Sequence, residues 1–119
     1  MLIKYKNSYR KIAMGLLSFM PSERDFKQLQ QTIKTYEEDP DWQLYLWKRD
    51  EDCIGLIGIK LNEQTFTVHH AAISPSFRNE GLGHLMIESV RELQEPLAMC
   101  STHKTKDFLE KCWEKQVPF

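Results

Sequence analysis

Arg78, Gly81 and Gly83 are the residues of this sequence whose types and spacing best suit ligand chemistry. They follow a strand-like run that ends at Ile73 and a turn that contains Pro75, and they open an amphipathic segment. The first backbone N–H groups of a helix have no partner inside the helix and attract anions. Glycines there let the main chain approach phosphate oxygens, and the arginine can cap or steer them. The pattern predicts a diphosphate site at a helix N-terminus.

The segment behind these glycines has one apolar face. Residues at helical spacing predict a helix over about Leu82–Gln94 whose inner face is formed by Leu82, Leu85, Met86, Ser89, Val90 and Leu93. A bare Arg-x-x-Gly-x-Gly string is weak evidence, because two glycines before a helix often form only a tight turn. The preceding strand and the following helix favour the diphosphate site.

The composition predicts one domain over residues 1–119, with 41% hydrophobic and 28% charged residues. The 16 basic and 17 acidic residues are interspersed, and the formal net charge is −1, so no nucleic-acid partner and no membrane surface is expected. Three widely spaced cysteines, Cys53, Cys100 and Cys112, fit neither a disulfide framework nor a metal motif. We expect reduced thiols, a cytoplasmic location and no metal.

The periodicity predicts an α/β fold with a mixed sheet, in the order β-α-α-β-β-β-α-β-α. The expected strands cover residues 2–6, 42–48, 54–61, 65–73 and 97–101, and the expected helices cover about 9–20, 22–38, 82–94 and 105–115. The first helix imitates a secretion signal but lacks a small-residue cleavage site. The last strand should pair in parallel with the 65–73 strand, and open α/β sheets bind ligands beyond the carboxyl ends of such strands.

Ile73, Pro75, Arg78, Gly81 and Gly83 also match the five defining positions of the coenzyme A motif V/I-x-P-x-x-R-x-x-G-x-G/A. On these residues the chain resembles the GNAT superfamily of N-acetyltransferases, and its order of elements is similar over nearly the full length. The general run of residues resembles the short RibT-type members. The resemblance implies a GNAT-like acyl-CoA N-acyltransferase fold without the usual C-terminal β-hairpin. The acceptor side would then be open, small, or completed by a second copy in a homo-oligomer.

The same resemblance implies an N-acetyltransferase that uses acetyl-CoA and acts on a primary amine of a small molecule or protein. The coenzyme would lie between the 65–73 and 97–101 strands, with its pantetheine amides paired to main chain near residues 71–73. Ala71 and Ala72 would leave room beside the thioester, although tight helix packing explains two alanines equally well. The residues implied for coenzyme binding are Ala71, Ala72, Ile73, Arg78, Asn79, Glu80, Gly81, Leu82, Gly83, His84, Phe108 and Lys111.

Acetyl transfer to an amine requires a group that takes up the amine's proton. His69 and His70 are the titratable candidates, and strand alternation predicts that they point to opposite faces, so that at most one reaches the acetyl carbon. His69 is preferred, because its place four residues before Ile73 resembles a base position of some GNAT enzymes. The alternative is a hydrogen-bonded histidine on a sheet face with no catalytic role.

The segment Phe108-Leu109-Glu110-Lys111 resembles the F-Y-E-K segment of the family, whose tyrosine commonly protonates or orients the coenzyme thiolate. Leu109 cannot donate a proton, so this departure predicts slow transfer, a substitute donor such as Cys100 or His103, or no catalysis. Three interpretations stay open: an N-acetyltransferase, an acyl-CoA-binding module that acts through a partner, and a structural domain whose glycines only form a turn.

Overall fold

A five-stranded sheet in the order β1-β2-β3-β4-β5 forms the centre of the protein in a computed structural model. The structure describes residues 1–23, 25–78 and 80–114, without the side chains of 112–114. The strands are β1 (Leu2–Lys4), β2 (Trp42–Arg49), β3 (Asp52–Leu61), β4 (Thr65–Ile73) and β5 (Ala98–Ser101). The helices are α1 (Arg10–Leu17), α2 (Phe26–Glu38), α3 (Leu82–Gln94) and α4 (Lys106–Glu114). Neighbouring strands are antiparallel except for the parallel pair β4–β5, which confirms the predicted mixed sheet.

The sheet separates two hydrophobic cores, because successive residues of a strand face opposite sides. Along β3, Leu56 packs against α1 and α2, whereas Ile57 packs against α3. The helical residues buried in the first core are Ala13, Leu16, Leu17, Leu29, Ile33 and Tyr36, and those buried in the second are Leu82, Met86, Ile87, Val90 and Leu109. In the described residues, no helix is long and apolar enough to cross a bilayer.

The start of α2 differs from the expectation of a helix from near Ser22. Residues Pro21–Glu23 form a separate 3₁₀ turn, and α2 begins at Phe26. The side chain of Asp25 accepts a hydrogen bond from the Lys27 amide at 3.4 Å, which makes it the N-cap. The prediction was wrong because Asp25, which lies closer to the apolar stripe than Ser22, caps the helix. The turn thereby carries Glu23 toward the sheet.

The helix α3 has the predicted bounds, but its buried face is rotated from the predicted one. Leu85 and Leu93 are 49% and 57% exposed, whereas Ile87 is 2% exposed. Positions 85 and 87 lie about 200° apart around a helix of 3.6 residues per turn, so only one of them can face the sheet. Packing against β3 and β4 selects Ile87.

The strand β4 contains a bulge at His69. In its pairing with β3, His70 lies opposite Gly58 and Val68 lies opposite Ile59, so His69 has no partner residue in that ladder. A bulge adds a residue, bends the strand and interrupts the alternation of side chains. It lies directly before the segment 71–73, where the sheet opens.

Candidate functional site

A groove opens where β4 and β5 separate. The parallel ladder begins at Thr65 paired with Ala98 and ends at Val68 paired with Ser101. The Thr105 hydroxyl donates a hydrogen bond of 2.7 Å to the Val68 carbonyl, which closes the ladder and directs the chain into α4. Beyond this point, residues 70–73 of β4 pair with β3 on one side and have no β5 partner in the described chain.

The N-terminus of α3 faces this groove. Gly81 caps the helix in the left-handed conformation, with a φ of 77° that a side chain would disfavour. Gly83 lies in the first turn, which contains no acidic residue. Unpaired amides and the positive end of the helix dipole therefore meet the groove without a competing carboxylate from that turn.

The groove has a volume of about 520 Å³ and is lined by most of the residues implied for coenzyme binding. The lining includes three cations, Arg78, Lys104 and Lys111, and one carboxylate, Asp107. Arg78 donates from Nε to the Ile73 carbonyl at 3.2 Å, which fixes the arginine beside the end of β4. The implied residues found in the lining are Ala71, Ala72, Ile73, Arg78, Gly81, Leu82, Gly83, His84, Phe108 and Lys111.

Two of the implied coenzyme residues are not placed in the groove. The Glu80 side chain forms an ion pair of 3.0 Å with Arg49, whose guanidinium also lies over the Phe77 ring at 5.8 Å. Glu80 is absent from the lining of the groove. Asn79 lies outside the described residues.

A second, smaller cavity adjoins the groove. We call it the histidine cavity; its volume is about 180 Å³, and it is lined by Ser22, Glu23, His69, His70, Thr102, His103 and Lys104. Lys104 lines both the groove and the histidine cavity, so the two are neighbours at this residue. None of the described α3 residues lines the histidine cavity.

The prediction that His69 and His70 point to opposite faces was wrong. Their ring centroids are 6.4 Å apart, and both side chains line the histidine cavity. The cause is the bulge, because an extra residue in one strand breaks the alternation on which the prediction depended. The structure therefore brings both candidate bases to one site.

Both ring nitrogens of His70 are engaged in hydrogen bonds. Nε2 lies 3.0 Å from Glu23 Oε1, and Nδ1 lies 2.5 Å from the Tyr36 hydroxyl. Burial raises the pKa of Tyr36 well above its ordinary value, so the phenol keeps its proton. Both nitrogens of His70 are thus occupied by partners within the protein.

Glu23 anchors this chain of contacts from the 3₁₀ turn. It is 4% exposed, and its second oxygen accepts a hydrogen bond of 2.9 Å from the Thr32 hydroxyl. Burial raises the pKa of the Glu23 carboxyl, but the hydrogen bonds from His70 and Thr32 outweigh burial and leave the pKa below its ordinary value. A buried, ionised carboxylate therefore stands beside the two histidines.

His69 is in a different state from His70. Its ring lies 4.5 Å from the Trp42 ring. The His69 side chain forms no hydrogen bond with another described residue. Burial, then the neighbouring charges of His70 and Lys60, lowers the pKa of His69 from 6.5. A neutral imidazole at pH 7 that faces a cavity is the form that a general base requires.

Leu109, at the position of the family's tyrosine, is buried in the core between α3 and the sheet and is 7% exposed. The neighbouring Phe108 lines the groove instead. His103, one of the two substitute donors considered from the sequence, lines the histidine cavity, whereas Cys100 is exposed on β5 and lines neither cavity. Among the described residues, no three His, Cys, Asp or Glu side chains are grouped as a metal site requires.

Sequence reasoning missed Glu23, Tyr36 and Lys104 as site residues. In the sequence, Tyr36 looks like another apolar residue of the buried face of α2. Glu23 lies 47 positions from His70, the histidine that it contacts, so no local pattern links the two. Only Gly58 gives a signal, since a glycine inside a strand marks a close approach of another group. Here the Tyr36 hydroxyl occupies the space that a Cβ at Gly58 would fill.

Solved structures with this fold include several acetyltransferases. The chain superimposes on an aminoglycoside N-acetyltransferase, AAC(6')-Iy in complex with CoA, with a TM-score of 0.77 and 10% identity, covering 100% of this chain and 88% of that one. A GNAT family acetyltransferase of Staphylococcus aureus gives a TM-score of 0.71 with 18% identity, covering 86% of this chain and 84% of that one. At these identities, the likeness concerns the fold.

Sequence comparison shows the family of the chain as well as its fold. A Bacillus methanolicus protein named as an uncharacterized N-acetyltransferase in the lysA 3' region is 49% identical over 113 residues, which cover 94% of each chain. The model of the Acetyltransferase (GNAT) family matches residues 10–112, from the start of α1 into α4. The matched region contains the glycine turn, the groove and the histidine cavity, and the chain belongs to the Acetyltransferase (GNAT) family.

Proposed function

We propose that this protein transfers the acetyl group of acetyl-CoA to a primary amine of a small molecule or protein, with His69 as general base. The observation that supports this proposal most strongly is that the two cavities share Lys104 in their linings. A groove with a helix N-terminus on its wall thus lies beside a cavity lined by His69. A transferase with two substrates needs neighbouring sites, because the acetyl carbon must meet the amine.

The groove suits the coenzyme in shape and charge. The first turn of α3 would bind the diphosphate, assisted by Arg78 and Lys111. The free edge of β4 at residues 71–73 would pair with the pantetheine amides, as an added strand would. The structural relatives in complex with CoA and with a bisubstrate analogue of CoA support this assignment.

The histidine cavity would receive the amine. In the reaction, the amine nitrogen forms a bond to the acetyl carbonyl carbon, the carbon–sulfur bond breaks, and coenzyme A leaves as a thiolate. The proton lost by the amine passes to His69, and the thiolate takes a proton from solvent or from a nearby donor. His70 is a positioning residue in this scheme, because Tyr36 and Glu23 already occupy its nitrogens.

A second candidate function is a CoA-binding module with little or no transferase activity. It is favoured by one observation, the burial of Leu109 in the core at the position where the family carries a proton-donating tyrosine. In this case the groove would still bind acetyl-CoA, and the histidine cavity would serve no reaction. A relation to RibT-type proteins and a homo-oligomeric state stay predictions.

An assay of thiol release separates the two candidates. Purified protein is incubated with acetyl-CoA and a panel of primary amines, and free CoA and the acetylated products are measured. The transferase predicts amine-dependent release that falls by a factor of about 10² to 10⁴ in His69→Gln. Calorimetry of CoA binding to the same variant is the control, since affinity should persist. Binding without turnover on any amine would contradict the transferase and support the module.

A further inference from the structure

Side chains of opposite charge, Glu23 and Lys104, line the histidine cavity. We infer that the acceptor is a compact zwitterion, an amine that carries a carboxylate or phosphate group a few bonds from its nitrogen. This inference rests on the proposed function, and it specifies the class of amine that the same site acetylates. It depends on Glu23 and Lys104, the two residues of the described lining, apart from its histidines, whose side chains carry a formal charge at pH 7.

Glu23 suits the amino group of the acceptor. The Glu23 carboxylate is buried and ionised, and it lines the cavity together with His69. An ammonium ion that enters is attracted by the carboxylate. It loses one proton to solvent to become the neutral amine, and His69 takes the second proton as the bond to the acetyl carbon forms. Glu23 already accepts hydrogen bonds from His70 and Thr32, so its capacity for further donors is limited to about one cationic group.

The opposite charge comes from Lys104. The lysine is exposed, and its amine forms no ion pair with any described residue. Lys104 and Glu23 line the same cavity, and the charge of the lysine contributes to the lowered pKa of the Glu23 carboxyl. A ligand anion next to Lys104 would gain a charge-assisted hydrogen bond that the protein itself leaves unmade.

The charge balance disfavours a polycationic acceptor. Apart from its histidines, the described lining combines one negative and one positive side chain, which matches a ligand whose own charges cancel. A second ammonium group would lie near Lys104 with no carboxylate of the lining to receive it. Like charges brought together in this way lower affinity.

The size of the cavity limits the part of the acceptor next to the acetyl group. A volume of about 180 Å³ corresponds to roughly six water molecules at about 30 Å³ each. An amine with an anionic group two or three carbons away fits this space. Such a ligand can contact Glu23 and Lys104 at once.

The test compares amines that differ only in the group remote from the nitrogen. β-Alanine and 2-aminoethyl phosphate carry an anion, propylamine carries none, and 1,3-diaminopropane carries a second cation; α-amino acids are paired with their carboxamides. With acetyl-CoA and the full chain, we expect kcat/KM for the anionic member of a pair to exceed that of its neutral partner by about tenfold or more. The carboxylate and phosphate compounds show which anion is preferred.

Charge reversal at Lys104 tests whether this lysine causes the preference for acceptors that carry an anion. Lys104→Glu should abolish or invert the preference for the anionic member, and the affinity for CoA is measured separately because Lys104 also borders the groove. Lys106→Glu is the matched control, since Lys106 is exposed, lies two residues away and lines neither cavity. It should keep the preference of the unaltered protein.

Three results would overturn the inference. They are a preferred acceptor that is neutral or polycationic, a preference that survives Lys104→Glu, and CoA binding without acetylation of any zwitterion in the panel. In each case the coenzyme part of the proposed function stands. Failure to bind CoA at all would instead contradict the proposed function itself.

Discussion

The Tyr36 hydroxyl lies 2.5 Å from Nδ1 of His70, and this contact joins α2 to β4 across the face of the sheet. The tyrosine passes directly over Gly58, the β3 residue that pairs with His70. Only a glycine leaves room for it there, because a side chain would collide with the tyrosine. The contact fixes the imidazole orientation and directs Nε2 to Glu23. The position of one glycine thus decides how the histidine cavity is built.

The first prediction concerns Gly58→Ala. The added methyl group would overlap the Tyr36 ring and hydroxyl, so the tyrosine or the strand must move. We expect the free energy of unfolding to fall by about 1 to 3 kcal/mol, as overpacking of a core does. Urea denaturation measures it. Gly15→Ala is the control, since no atom lies within 4 Å of its Cβ, and a change in an exposed helix position should leave stability equal or raise it by up to about 1 kcal/mol.

The second prediction concerns acid stability. The pKa of Glu23 in the folded protein lies below its ordinary value of 4.5, so its contribution to stability is present above that value and is lost as pH falls through the lower folded pKa. Glu23→Gln removes this titration. Thermal unfolding below about pH 4.5 should therefore depend less steeply on pH in the variant than in the unaltered protein. Equal slopes would show that Glu23 is not held as the ionised form.

The sequence predicted the sheet, the bounds of β4 and α3, and the glycine turn, since each depends on local periodicity or on a residue with special backbone freedom. It did not predict that His69 and His70 point to the same side of the sheet. One bulge interrupts the alternation of side chains, and no residue type in the sequence marks the position of that bulge. It also missed Glu23, whose partner is distant in sequence. A single domain over residues 1–119 and a cytoplasmic location stay predictions.

The third prediction concerns the pH dependence of transfer. A lowered pKa keeps His69 unprotonated at pH 7, and activity is lost when the ring gains a proton. The acid limb of kcat/KM should therefore have its midpoint below pH 6.5, and His69→Gln should lose that limb together with most of the rate. A midpoint above 6.5, or a limb that persists in the variant, would exclude His69 as the base.

The fourth prediction concerns the missing tyrosine. Leu109→Tyr would place a hydroxyl in a filled core, so we expect it to lower stability by about 1 to 3 kcal/mol without a gain in rate. Phe108→Tyr would place the hydroxyl in the groove and should increase the rate of thiol release, at most by the roughly 10² to 10⁴ that general acid catalysis contributes. The two variants are compared by denaturation and by the same assay. A gain in rate for Leu109→Tyr alone would mean that Leu109, not Phe108, faces the thioester.

The most direct measurement is calorimetric titration of CoA into the unaltered protein, Gly83→Leu and Gly15→Leu. Gly83 lines the groove in the first turn of α3, where a helical backbone tolerates a side chain, and Gly15 is an exposed glycine of α1. We predict binding by the unaltered protein and by Gly15→Leu, and an affinity at least about tenfold weaker in folded Gly83→Leu. No binding by the unaltered protein at about 1 mM CoA, or equal affinity in all three, would contradict a coenzyme site at the N-terminus of α3.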